Sequence, residues 1–90
     1  MPQASKAPVH KIRAGRIIAS IWANEKEDVG KWFSVTFSRG YHDKYGEVHY
    51  AKTYGRDDLL VLAELANQAW SWIVEQDADE LEENMSQVQP

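Results

Sequence analysis

Lys31-Trp32-Phe33-Ser34-Val35-Thr36-Phe37-Ser38-Arg39 is the stretch that decides the fold. Phe33, Val35 and Phe37 fall on one side of an extended chain, and Trp32, Ser34, Thr36 and Ser38 on the other. Such alternation marks a strand with one buried face, because successive side chains project to opposite faces of a strand. Three large apolar residues on one side need a lid, so the segment implies a sheet with one covered face.

Toward the N-terminus, the charged run Asn24 to Gly30 reads as a turn, and the segment before it alternates too. Ile17, Ala19, Ile21 and Ala23 share one side, with Arg16, Ser20 and Trp22 on the other and Ile18 out of pattern. Gly15 stands where the parity changes after Ile12 and Ala14, which reads as a bulge or bend. The expected antiparallel register sets Ile21 opposite Phe33, Ala19 opposite Val35 and Ile17 opposite Phe37. It sets Trp22 opposite Trp32, Ser20 opposite Ser34, Ile18 opposite Thr36 and Arg16 opposite Ser38 on the other face. A slip of one residue would exchange the faces.

Toward the C-terminus, His42 to Gly46 is a second turn and Glu47 to Tyr54 a further strand. Placing Ala51 and Thr53 inside, beside Phe37 and Val35, avoids burying Lys52 without a partner. Tyr50, Lys52 and Tyr54 then join the open face. Gly55-Arg56-Asp57-Asp58 opens a helix, with acids in the first turn complementing its dipole. Leu59, Leu62, Ala63, Ala66, Ala69, Trp70 and Ile73 follow helical spacing and form the expected core stripe. The helix is expected to fray near Gln76 to Asp79. The fold class is therefore α+β: an antiparallel sheet of three strands, or four if the basic segment before Gly15 adds one, packed on one C-terminal helix. Residues 1–9 read as a flexible arm, 10–76 as the domain, and 77–90 as an acidic, disordered tail.

The chain has 90 residues, no cysteine and a net charge of −4. That length makes one domain, and the missing thiols exclude a disulfide framework and a thiolate metal site. No apolar run is long enough to span a membrane, and residues 1–10 lack the apolar core of a signal peptide. A cytoplasmic protein is expected. Charge is polarised: residues 1–16 carry +4 and residues 75–90 carry −6. The chain holds four tryptophans and four tyrosines, of which Trp22, Trp32, Tyr50 and Tyr54 are expected on the open face.

The order of strands then helix, with aromatic and basic residues on the open face, resembles the Whirly proteins, the positive-cofactor-four coactivators and the Pur-type repeats. That likeness is one of topology over residues 10–75. It implies a curved sheet backed by a helix, a homodimer, and binding of single-stranded nucleic acid. In sequence, Lys11-Ile12-Arg13, Ile21-Trp22, Trp32 to Ser38 and Gly55-Arg56-Asp57-Asp58-Leu59-Leu60-Val61-Leu62-Ala63 resemble a family of small uncharacterised bacterial proteins, a likeness that implies no activity.

The candidate nucleic-acid-binding residues are Arg13, Arg16, Trp22, Trp32, Arg39, Tyr50, Lys52 and Tyr54. Bases stack on aromatic rings with little regard to sequence, and interleaved cations neutralise phosphate. The competing reading buries these aromatics in a dimer interface or uses them in cross-strand pairing. Val61, Leu65 and Trp72, with Gln68, form a second patch beside the expected core stripe and are the candidate dimer interface; the alternative is that Trp72 packs over the edge of the sheet. Arg56, Asp57 and Asp58 read as a cap with a local ion pair. His10, His42 and His49 are scattered without metal-ligand spacing. No phosphate loop or nucleophile constellation is visible, so the expected function is a non-enzymatic, cofactor-free binding protein. The alternative is a small regulatory or inhibitory protein-interaction module, encoded by a mobile element and acting as an acidic nucleic-acid mimic.

Overall fold

The computed structural model describes residues 7–88; residues 1–6 and 89–90, with most of the N-terminal arm and the end of the tail, lie outside the described residues. Four strands, β1 (His10–Ala14), β2 (Ile17–Lys26), β3 (Gly30–His42) and β4 (Val48–Ala51), precede one helix, α1 (Arg56–Val88). The strands form a single antiparallel sheet in the order β1-β2-β3-β4. The basic segment before Gly15 thus supplies a full edge strand.

Gly15 is a turn and not a bulge. Ala14 pairs with Ile17, leaving Gly15 and Arg16 as a two-residue hairpin loop. Gly15 takes a φ of 60°, the left-handed conformation that the first position of a tight hairpin turn demands and glycine accepts without cost. The change of parity follows from this reversal, since even positions of β1 and odd positions of β2 lie on one face.

The β2–β3 register differs from expectation by two residues. Ile21 pairs with Val35, Ala19 with Phe37 and Ile17 with Arg39, while Trp22 meets Ser34 and Asn24 meets Trp32. The cause is a short loop. Lys26 pairs with Gly30, leaving only residues 27–29 as the loop, and Gly30, the first residue after it, takes the φ of 99° that lets the chain enter β3. The β3–β4 pairing shifts likewise, with Arg39 opposite Ala51 and Gly40 opposite Tyr50. A shift of two preserves side-chain parity, so the two faces keep their membership.

The core lies between α1 and the helix-side face of β1 and β2. Ile17, Ala19, Ile21, Leu65 and Ala69 are buried, and Ile12, Ala14, Val35, Phe37, Tyr54, Val61 and Leu62 pack around Ile17, Ala19 and Leu65. The inward stripe of α1 is therefore Asp58, Val61, Leu62, Leu65, Ala69, Trp72 and Ile73. Leu62, Ala69 and Ile73 lie inward as the spacing predicts; the rest of the expected stripe is corrected. Leu59, Ala63, Ala66 and Trp70 are exposed, whereas Val61, Leu65 and Trp72, expected at a dimer interface, face the sheet. Two contacts set the rotation of the helix. Asp58 reaches Arg16 at 3.4 Å and Arg39 at 3.8 Å, and Trp72 stacks on His10 at 4.8 Å and meets Phe33 edge-on at 5.5 Å. Both ends of one stripe are thereby held to the sheet.

The helix continues through Gln76 to Asp79, where fraying was expected, and reaches Val88. No glycine or proline interrupts the sequence between Gly55 and Pro90, and Glu, Leu, Met and Gln are favourable helix residues. Among the described residues, no helix is long and apolar enough to cross a membrane.

Candidate nucleic-acid interface

The sheet face turned away from α1 follows from the register. It presents Lys11 and Arg13 from β1, with Ile18, Ser20, Trp22, Asn24 and Lys26 from β2. β3 adds Trp32, Ser34, Thr36, Ser38, Gly40 and His42, and β4 adds Val48 and Tyr50. Not one of these residues is an acid. The chain has fourteen Asp and Glu, and every one lies on α1, in a turn, or, as Glu25, on the other parity of β2. A chain of net charge −4 thus keeps one whole sheet face free of negative charge.

The aromatic positions on this face are held in place. The Trp22 indole Nε1–H donates to the Thr36 hydroxyl at 2.9 Å, which ties the ring across β3. Trp32, 42% exposed, sits diagonally from Trp22 because each pairs with the other's neighbour; at that offset large rings still come within reach of each other. The Asn24 amide donates to the Ser34 hydroxyl at 3.0 Å and to the Trp32 carbonyl at 3.4 Å, packing the space between them. Tyr50, 63% exposed, lies across Gly40: a Cβ there would meet its Cε1 at 3.5 Å. The ring covers backbone that a side chain would otherwise occupy. Ordered rings lose little entropy when a ligand stacks on them.

Four of the eight sequence-derived residues come together here: Arg13, Trp22, Trp32 and Tyr50. Lys52 is exposed just past the end of β4. The other three lie elsewhere. Arg39 has inward parity; its Nε donates to the Thr53 carbonyl at 2.9 Å, and its guanidinium lies over the Tyr41 ring at 5.7 Å. Arg16 reaches round the end of the sheet to Asp58. Tyr54 is half-buried against the core, where burial raises the pKa of its phenol against the opposing pull of Arg39. These three join the sheet to the start of α1. Sequence reasoning missed Lys11 and Lys26. Recognising Gly15-Arg16 as a two-residue turn would have found Lys11, since that turn fixes the parity of β1.

Asp58 organises the helix start. Its Oδ2 accepts the Gly55 N–H at 2.9 Å, the back-reaching half of a capping box. That hydrogen bond, then Arg16 and Arg39, hold its carboxyl below the usual range against the effect of burial. Arg56 pairs with Asp57 at 3.4 Å. In the β3–β4 turn, Asp43 Oδ1 accepts the Tyr45 and Glu47 N–H groups and its Oδ2 meets His49 Nε2 at 2.8 Å. The His49 contact and these backbone donors lower the pKa of Asp43. Ligand atoms of Asp43, Glu47 and His49 lie within 4.8 Å of one another, in a turn where both Asp43 oxygens are already engaged.

Comparison with protein-family models, curated proteins and solved structures finds no match. The functional reading therefore rests on the geometry of the outer face.

Proposed function

We propose that this protein binds single-stranded nucleic acid across the outer face of its sheet, and that it does so as a homodimer. The observation that carries the reading is the composition of that face: Trp22, Trp32 and Tyr50 interleaved with Lys11, Arg13 and Lys26, and no acid among them. The rings supply stacking surface for unpaired bases. The cations, with Lys52 at the edge, supply phosphate neutralisation. Ser20, Ser34, Thr36 and Ser38 add hydroxyls between the rings, suited to sugar and phosphate contacts. A duplex keeps its bases stacked inside and offers these rings little.

The test is a titration of a labelled oligo-dT and a matched duplex at low and moderate salt. Neutralising three or four phosphates predicts a log–log salt slope of about −2 to −3, a loss of roughly 15- to 60-fold between 50 and 200 mM salt. Absence of single-strand binding at micromolar protein would remove the proposal. A second reading has one observation in its favour: nine of the fourteen acids lie on α1, so the helix side suits a basic protein partner. A nuclease-resistant protein complex formed by a chain that does not bind oligo-dT would favour it.

A further inference from the structure

We infer that α1 carries a second, self-complementary packing surface whose occupant is another copy of this chain, lying antiparallel to it. The inference locates the dimer contact of the proposed function but rests on the helix side alone, so the outer face can fail without it.

Leu59, Ala63, Ala66 and Trp70 recur at intervals of four, three and four residues, the spacing of a coiled-coil seam. None of them faces the core. Leu59 is 53% and Trp70 64% exposed. The cleft between β1 and α1 is lined on the helix side by Trp72 together with Asn67, Gln68, Ser71 and Glu75, so the mainly polar flank of the helix turns to β1. The apolar stripe lies on the opposite flank, toward β3, whose Phe33, Val35 and Phe37 are only half covered. Half-covered strand and exposed helix stripe thus lie side by side.

Among the described residues the buried apolar core is Ile17, Ala19, Ile21, Leu65 and Ala69, a small core for one domain, and association is a common remedy.

Symmetry and charge identify the partner as a second copy. About a twofold axis midway between residues 64 and 65, Leu59 meets the partner's Trp70 and Ala63 meets the partner's Ala66. Small residues stand at the crossing with bulky ones on either side, so the two helices approach closely and each contact occurs twice. A parallel pair would set Glu75, Asp77 and Asp79 of both chains side by side. The antiparallel pair separates them and brings Arg56, the only base on α1, opposite the partner's Ile73, one turn from the partner's Asp77.

The test begins with the mass of the full chain in solution at micromolar concentration without nucleic acid, expected to be twice 10.3 kDa. Leu59→Glu and Ala66→Glu, both at exposed positions, should weaken the dimer at least 100-fold while circular dichroism reports a folded helix; Gln68→Glu on the polar flank should not. The chain has no cysteine, so register is read by cross-linking: A63C and A66C chains mixed together should form a disulfide far more readily than either alone. A monomeric wild type, a dimer indifferent to both stripe glutamates, or self-cross-linking of each single variant equal to the mixture would overturn the inference. Oligo-dT binding enters none of these readouts: a monomer that still binds oligo-dT removes the dimer and leaves the nucleic-acid face standing, and a dimer that does not bind it does the reverse.

Discussion

Leu65→Ala tests which stripe of α1 faces the sheet. Leu65 is 1% exposed and packs with Ile17 and Ala19. Truncation removes three carbons, about 2.4 kcal/mol of transfer free energy at ~0.8 kcal/mol per methylene. The cavity left behind adds to this, for a total of about 3–4 kcal/mol. In a domain of this size each kcal/mol lowers Tm by about 4–8 °C, so the variant should melt roughly 15–25 °C below wild type. Leu60, five residues earlier and 84% exposed, is the control. Leu60→Ala should change stability by about 0.5 kcal/mol or less. Thermal melts followed at 222 nm compare the two at equal protein concentration, since self-association of the kind proposed would link Tm to concentration. If the variants melt within a few degrees of each other, or Leu60→Ala is the weaker protein, α1 is rotated from the orientation described and the core is misassigned.

Three further outcomes follow from the same geometry. Trp32→Ala should weaken oligo-dT binding roughly 5- to 150-fold, the loss of about 1–3 kcal/mol of base stacking, and shift Tm far less than Leu65→Ala does; equal loss in both assays would make Trp32 a core residue. Asp58 is held below its ordinary pKa, first by the Gly55 N–H and then by Arg16 and Arg39. Its stabilisation is therefore complete above the unfolded-state value near 3.9 and lost as pH falls through the lower folded value. Asp58→Asn should destabilise the protein at neutral pH and flatten the loss of stability between about pH 4 and lower; an unchanged acid-unfolding curve would show that the carboxylate plays no such part. Gly30→Ala forces a side chain into a φ of 99°, at a cost of about 1–2 kcal/mol, read as a lower urea midpoint; an unchanged midpoint would mean the β2–β3 turn takes another conformation.

The fold class was legible because the alternation through β2 and β3 is strong and a shift of two residues cannot exchange faces. Trp22 and Trp32 were placed correctly on the open side for that reason, although their direct pairing was not: register depends on whether a loop closes in three residues or more, and composition alone does not give that number. The rotation of α1 was not legible. The helix carries two apolar stripes, and the one richer in alanine and leucine gave the stronger periodic signal. What selects the other is tertiary: Asp58 between Arg16 and Arg39, and Trp72 between His10 and Phe33. Arg39 was assigned to the open face by charge, against its own odd parity, which places it inside.

The four tryptophans provide the most direct test of the outer face. Trp22 and Trp32 lie on it, while Trp70 and Trp72 belong to the helix on the far side of the sheet. Each indole N–H gives a separate signal in a nitrogen–proton correlation spectrum. Titration with oligo-dT is predicted to move the Trp22 and Trp32 signals together, saturating at one affinity, and to leave Trp72 unmoved beside His10. Movement of Trp70 and Trp72 while Trp22 and Trp32 stay fixed would contradict the account and put any nucleic-acid contact on the helix.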